Sequence, residues 1–285
     1  MWDRPSPFVA CPGLPNKYGR QDDRLFHFHP SILIPQCGPD DAAGKRVRNK
    51  PRGHGMIRGG MASTLAFIHT GHVLIPVFGQ LAKERLPGVD VFHMLDESLI
   101  RNTIASGGLT KLTIRRLLGM IESARQGGAD AVMVTCSSIG EGVPIARRQF
   151  DFPILRVDEA MAEKAVETGG RIGVAATLRT TLEPTVALLR ETAARAGRDV
   201  QIVPQLSDGA FERLIAGDAP QHDRMLAAAL SELRKEVDVI VLAQVSMARV
   251  AAQFTGPGPR ILSSPELAIR RAHELLSPQM DGVLC

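Results

Sequence analysis

The residue best suited to chemistry is Cys136, which ends an apolar run over 130–136 and is followed at once by Ser137 and Ser138. A cysteine thiolate can take up and return a proton, or attack carbon as a nucleophile. Free backbone N–H groups where a helix starts favour the thiolate, so we expect the pKa of this thiol to be lowered. The alternative is an inert buried cysteine beside two helix-capping serines.

Small polar side chains also follow other apolar runs. Hydroxyls, an amide and helix-start N–H groups can together hold a carboxylate or a developing enolate. Histidine suits acid–base work because its charge changes near neutral pH, although a polar residue at a helix start is the alternative for His72. We therefore predict catalytic roles for Cys136 and His72, and substrate binding by Thr70, Ser137, Ser138, Thr177, Thr180, Gln244 and Ser246.

Short apolar runs alternate with helical patterns along the chain, which is typical of parallel βαβ units. Runs such as Ala131–Val134 lack an apolar–polar alternation, which favours strands covered on both faces. The predicted helices include 110–126, 180–196 and 221–236. The predicted strands are 64–70, 89–95, 130–136, 152–157, 171–177, 199–204, 237–244 and 260–263.

The two halves of this pattern repeat each other. The run that ends at Cys136 matches the run that ends at Gln244 with an offset of 108 residues, and Thr70 matches Thr177 with an offset of 107. The sequence therefore predicts an α/β fold of two pseudo-symmetric, Rossmann/flavodoxin-like parallel-sheet lobes. The predicted boundaries are 61–157 for the first lobe, with 260–285 returning to it, and 158–259 for the second.

Over residues 61–270 the sequence resembles the aspartate/glutamate/hydantoin racemase superfamily. The resemblance rests on Val134-Thr135-Cys136-Ser137-Ser138, on the pair Thr177 and Thr180, and on the duplicated architecture. It implies an isomerase that needs no cofactor and no metal and acts on a small carboxylate in the cleft between the lobes. It also implies a homo-oligomer.

One position departs from the family pattern, because the second cysteine of the family falls on Gln244. An amide cannot exchange protons near neutral pH, so symmetric two-thiol racemisation is in doubt. Three mechanisms stay open: Cys136 with His72 serving the opposite face, protonation of an enolate after decarboxylation, and nucleophilic addition in a cis–trans isomerisation. A non-catalytic carboxylate-binding protein and, more weakly, a nucleotide-binding flavodoxin-like protein are the other classes considered.

Composition restricts the other possibilities. The formal net charge of +4 comes from residues 1–60, with 10 Lys/Arg against 5 Asp and 8 of the 19 prolines. We expect this segment to be a disordered leader, with Met61 as the natural start, and a targeting peptide is the alternative. The balanced charge of the remainder argues against nucleic-acid binding, and no apolar run approaches the roughly 20 residues that span a bilayer. A cytoplasmic location is expected.

Acidic residues follow two of the predicted strand ends. Asp96 and Glu97 either contact the substrate or form a solvated turn. Asp158 and Glu159 are predicted to start a helix, where acids favour the positive end of the dipole.

Overall fold

The structure is a computed structural model that describes residues 62–277, so the predicted leader 1–60 and residues 278–285 lie outside it. Within this range the strands are β1 (Ser63–His69), β2 (Val89–Leu95), β3 (Ala131–Val134), β4 (Ile154–Arg156), β5 (Arg171–Ala176), β6 (Gln201–Leu206), β7 (Val239–Leu242) and β8 (Arg260–Ser263).

Helices connect these strands, and none within residues 62–277 is both long and apolar enough to cross a bilayer. They are α1 (Leu74–Arg85), α2 (Glu97–Ala105), α3 (Lys111–Gln126), α4 (Gly142–Arg147), α5 (Glu159–Thr168), α6 (Arg179–Arg195), α7 (Ala210–Ile215), α8 (Ala219–Leu233), α9 (Ala248–Ala251) and α10 (Ser264–Leu276).

The strands form two parallel four-stranded sheets with the same topology. The first has the order β2-β1-β3-β4 and the second the order β6-β5-β7-β8. Equivalent pairs keep equivalent registers: Ile68 lies beside Val134 in the first sheet, and Ala175 lies beside Leu242 in the second. The predicted α/β fold of two similar parallel-sheet lobes is confirmed.

Helices cover both faces of each sheet, as the continuous apolar strands require. On the first sheet, α3 buries Leu117 and Ile121 against one face, and α1 buries Phe78 against the other. On the second sheet, α8 buries Leu226 and Leu230 against one face, while α5 and α6 cover the other. The parallel strands therefore place their carboxyl ends together at one edge of each sheet.

The last helix of each half packs on the sheet of the other half. Helix α5 follows the first sheet but covers the second, and α10 follows the second but contributes Ile269 to the core of the first. The predicted return of the chain to the first lobe at 260 is therefore placed too early. Arg260–Ser263 pairs with β7 in the second sheet, and only α10 returns.

A buried ion pair joins the lobes at their seam. Nε of Arg156 lies 2.7 Å from Oδ1 of Asp158, and both side chains are almost fully buried, at 4% and 0% exposure. Nη2 of Arg156 also lies 3.5 Å from the carbonyl oxygen of Pro184 in α6. Loss of either side chain would leave an unpaired charge in a low-dielectric interior, which destabilises the folded protein.

We predict that Gly140→Ala destabilises the protein because it displaces this arginine. An added Cβ at Gly140 would lie 2.8 Å from Cζ of Arg156, which is too close for contact, and the guanidinium is held by Asp158. The free energy of unfolding in urea should fall by about 1–3 kcal/mol. Gly119→Ala is the matched control: this glycine lies in α3 with open space around it, so alanine should stabilise by up to about 1 kcal/mol. Equal stability of both variants would contradict the clash.

Candidate active site

Cys136 lies at the carboxyl edge of the first sheet, between β3 and a 3-10 turn at Ser137–Ile139. Its side chain is half-buried and packs against the core of the first lobe. Four donors lie near enough to the sulfur to lower the pKa of the thiol: the hydroxyls of Thr70 and Ser138, and the backbone N–H groups of Ser138 and Ile139. These groups stabilise a thiolate when one forms.

Burial raises the pKa of the Cys136 thiol above its ordinary value, and the four donors lower it only in part. The expectation that helix-start N–H groups would lower this pKa is therefore wrong, because the loss of water around the anion outweighs what the donors return. In the resting protein Cys136 is a neutral thiol at neutral pH. It is the form that can donate a proton.

Gln244 occupies the equivalent position at the edge of the second sheet. Its Oε1 accepts hydrogen bonds from the backbone N–H of Thr177, at 2.7 Å, and from the Thr177 hydroxyl, at 2.9 Å. A backbone N–H can only donate, so the atom that faces it must be the amide oxygen. The orientation of the amide is thereby fixed, and its two N–H donors point away from Thr177.

The two lobes thus place a threonine hydroxyl beside side chains of different chemistry. The Thr70 hydroxyl lies near Cys136 in the first lobe and lowers the pKa of its thiol, whereas the Thr177 hydroxyl donates to Oε1 of Gln244 in the second. Each acceptor is followed by a 3-10 turn, at Ser137–Ile139 and at Val245–Met247. A threonine therefore orients a thiol in one lobe and a carboxamide in the other.

The edges that carry these groups contact each other. The hydroxyls of Ser138, in the first lobe, and Thr181, in α6 of the second, share a hydrogen bond of 2.7 Å. Val245, which follows Gln244, packs against the core of the first lobe. The edges that carry Cys136 and Gln244 therefore meet at one junction, where Ser138 links the lobes.

The remaining predicted binding residues lie at the same two edges. Ser137 is buried and Ser246 is half-buried. The hydroxyl of Thr180 is buried and has no hydrogen-bond partner within residues 62–277. No side chain caps α6 or the 3-10 turn after Cys136, so neither the threonines nor the serines act as caps there.

The structure places His72 on the surface, where its side chain is 74% exposed. Its Nδ1 lies 2.8 Å from Oε1 of Glu97, and it is not among the groups that reach the sulfur. Asp96 caps α2 through the N–H of Ser98 and pairs with Arg116, a structural role that differs from the solvated turn considered as its alternative. Asp158 precedes α5, as predicted, but its side chain binds Arg156.

A series of hydrogen bonds beside Cys136, through His69 and His93, was not predicted from the sequence. Nδ1 of His69 lies 2.8 Å from Oγ1 of Thr135, and Nε2 of His69 lies 2.9 Å from Nδ1 of His93. The Thr135 hydroxyl in turn donates to the carbonyl oxygen of Ile68 at 3.0 Å. No motif marks these residues, and only the strand register brings His93 close to His69.

The imidazoles of this series are uncharged at neutral pH. Burial, together with repulsion from His93, lowers the pKa of His69 from 6.5 to about 4. Burial also lowers the pKa of His93. The ring of Phe67 stacks on both histidines, at 5.9 Å from His69 and 5.3 Å from His93. An apolar setting of this kind penalises the charged form.

The fold and this junction define a class of duplicated α/β proteins whose two parallel sheets meet at their carboxyl edges. The chain belongs to the Asp/Glu/Hydantoin racemase family, whose sequence model matches residues 71–272. The superfamily resemblance drawn from the sequence is thereby confirmed. No curated protein sequence matches the chain.

Solved structures of racemases share the fold at low sequence identity. Glutamate racemase isoform RacE1 from Bacillus anthracis is 16% identical, with a TM-score of 0.59 over 75% of this chain and 81% of that one. Allantoin racemase from Klebsiella pneumoniae is 17% identical, with a TM-score of 0.55 over 75% and 87%. The aspartate racemase of Picrophilus torridus is 14% identical, with a TM-score of 0.57 over 75% and 94%. At these identities the likeness concerns the fold alone.

The lowered pKa of His69 predicts that acid destabilises the protein. Between pH 6.5 and about 4 the unfolded chain binds a proton at this residue that the folded chain does not, so stability falls as pH falls, by up to about 1.4 kcal/mol per pH unit. His69→Phe keeps a stacked ring and removes this proton, so its decline should be shallower. Urea unfolding between pH 6.5 and 5 measures both slopes, and data at pH 8 correct for stability lost by the substitution itself. Identical slopes would contradict the assignment.

Proposed function

We propose that the protein is a cofactor-independent amino-acid racemase or related isomerase that acts at the carbon next to a carboxylate or an amide carbonyl. Cys136 is its single catalytic thiol. The observation that carries the proposal is the equivalence of the Thr70–Cys136 and Thr177–Gln244 contacts at the junction of the two lobes. Family membership supports isomerase chemistry in general.

The first lobe supplies the proton transfer. The neutral thiol first loses its proton to solvent water; a substrate C–H proton then passes to the thiolate sulfur, and the thiol so formed returns a proton to the resulting enolate. The donors from Thr70, Ser138 and Ile139 stabilise the sulfur anion between these steps. No bond is broken other than C–H and S–H, so the step needs no oxidant or reductant.

The second lobe supplies hydrogen bonds only. Because Oε1 of Gln244 is occupied by Thr177, its N–H groups are the part of the amide left for a ligand, and they suit an enolate or carboxylate oxygen. The buried hydroxyl of Thr180 adds a further group at the same sheet edge. We propose that these residues, with Ser137 and Ser246, hold the substrate oxygens.

Inversion also needs an acid or base on the face opposite the thiol. His72 is the proposed second catalytic residue, and its bond to Glu97 places it at the surface near the end of β1. Without that second group, proton transfer by Cys136 gives exchange without inversion. The cytoplasmic location and the homo-oligomeric state expected from the sequence stay predictions.

A decarboxylase is the second candidate, and the resting state of Cys136 favours it. Loss of carbon dioxide leaves an enolate that needs one proton on one face, and a thiol with a raised pKa is a donor for that step. The opposite lobe then needs only hydrogen-bond donors, which Gln244 provides. The cis–trans isomerisation of an unsaturated diacid would use the same thiol as a nucleophile.

Incubation of candidate acids in D₂O tests the thiol. We predict that wild type places deuterium at the α-carbon of at least one of aspartate, glutamate, a 5-substituted hydantoin and allantoin. Cys136→Ser should slow this exchange by about 10²–10⁴-fold, because serine is a far weaker acid and base. Ser231→Ala, on the exposed face of α8, is the control and should exchange like wild type. Equal exchange by wild type and Cys136→Ser would remove the thiol from the mechanism, and exchange by neither would favour a non-catalytic binding protein.

Restoring a second thiol tests the role assigned to Gln244. We predict that Gln244→Cys raises the rate of inversion relative to deuterium exchange by about 10-fold or more, because the second face then has an acid–base group beside Thr177. Gln244→Ser is the matched control, since it also removes the amide but adds no titratable group near neutral pH. Chiral chromatography measures inversion. The same ratio in both variants would contradict the equivalence of the two positions.

A further inference from the structure

Three hydrogen bonds beside Cys136 link His93, His69, Thr135 and the carbonyl oxygen of Ile68, and we call this series the histidine chain. All three bonds donate in the same direction along the series. The carbonyl oxygen of Ile68 can only accept, so the Thr135 hydroxyl donates to it and accepts from Nδ1 of His69. An uncharged His69 that donates from Nδ1 must accept at Nε2, so Nδ1 of His93 donates to it. These three hydrogen bonds are thereby satisfied by a single tautomer of each ring.

This chain ties together the two strand ends that meet at the sulfur. His69 precedes Thr70, whose hydroxyl reaches the sulfur, and Thr135 precedes Cys136 itself. The His69–Thr135 contact therefore links the end of β1 to the end of β3, immediately before the Thr70–Cys136 contact. His69 and Thr135 are fully buried, at 0% and 1% exposure.

The second lobe lacks the histidine chain, although it keeps the equivalent backbone hydrogen bond. The N–H of Thr135 bonds to the carbonyl oxygen of Ile68 at 3.1 Å, and the N–H of Ala243 bonds to that of Ala175 at 2.9 Å. The side chains differ, however. The positions equivalent to His69, Thr135 and His93 are Ala176, Ala243 and Pro204, by the sequence offsets and the strand registers.

The contrast between the lobes separates a packing role from a functional one. If the backbone arrangement at the sheet edge needed the imidazoles, the second lobe would need them too, yet alanine and proline suffice there. The polar chain occurs in the lobe that carries the thiol. It therefore serves something that Cys136 requires and Gln244 does not.

We propose that His69 and His93 are positioning residues that act through Thr135 to hold Cys136 in line with the Thr70 hydroxyl. Neither ring contacts the sulfur, so neither is a catalytic residue. A misplacement of about 1 Å can cost about 10²-fold in rate, and the His69–Thr135 hydrogen bond joins the two strand ends next to the sulfur. The catalytic meaning of this inference rests on the proposed function, whereas the effect on the thiol does not.

Alkylation of Cys136 by iodoacetamide tests the proposal without any substrate. The background is a variant in which Cys11, Cys37 and Cys285 are serine, so that only Cys136 reacts. The rate as a function of pH gives the midpoint at which the thiolate forms. Substitutions that break the histidine chain should weaken the interaction of the Thr70 hydroxyl with the thiolate and move this midpoint to higher pH by about one unit.

Two matched pairs of variants separate hydrogen bonding from bulk. Thr135→Val and His93→Leu remove a hydrogen bond and should shift the midpoint upward. Thr135→Ser keeps the hydroxyl, and His93→Asn can present an amide N–H where Nδ1 stood, so both should retain the midpoint of the background protein. Thermal unfolding checks each fold, and if one pair fails to fold the other pair decides. An unchanged midpoint, a midpoint at lower pH, or equal shifts within a pair would overturn the proposal.

A second measurement concerns turnover. Where wild type exchanges the α-proton, His93→Leu should lower kcat by about 10–100-fold while KM changes by less than about three-fold, because substrate contacts are untouched. His93→Asn should recover most of that loss. A wild type that alkylates as expected but exchanges no substrate would refute the proposed function and leave the positioning of the thiol intact.

Discussion

The position of Cys136 depends on the parallel pairing of β1 with β3. Adjacent parallel strands end at the same edge of a sheet, so the residues that follow them meet there without any long loop. This pairing brings the Thr70 hydroxyl to the sulfur, and the same pairing of β5 with β7 brings Thr177 to Gln244. Each lobe thus contributes one half of the site, Thr70 with Cys136 or Thr177 with Gln244, and both half-sites follow from a strand order that the lobes share.

Low polarity around the first half-site determines which charges it can hold. Burial makes an anionic sulfur costly, and it makes cationic imidazoles costly at His69 and His93, so all three groups rest in their neutral forms. The buried charged pair at the seam, Arg156 with Asp158, is held by two direct hydrogen bonds. A proton that leaves the thiol therefore creates a charge that only nearby donors can stabilise, which couples reactivity to their alignment.

Local pattern was enough to predict the strands, because a strand buried on both faces requires a short apolar run; β2 and β8 were predicted to the residue. The internal repeat then predicted that Cys136 and Gln244 occupy equivalent positions in the two lobes. The return at 260 was misplaced because β8 and α10 are adjacent in sequence but pack in different lobes. The His69–His93 contact and the Arg156–Pro184 contact could not be predicted, since they depend on sheet register and on how the lobes meet.

A duplicated fold starts with equivalent lobes, so the differences between them carry information about function. The first lobe keeps a thiol, a threonine donor and a polar chain behind them; the second has an amide locked by its threonine, with alanine and proline in place of that chain. A symmetric reaction would need matched acid–base groups on both sides. Under the proposed function, the division into one lobe that moves protons and one that holds oxygens makes the thiol face the more reactive one. Any reaction that inverts a carbon must then recruit its second group from outside this equivalent pair.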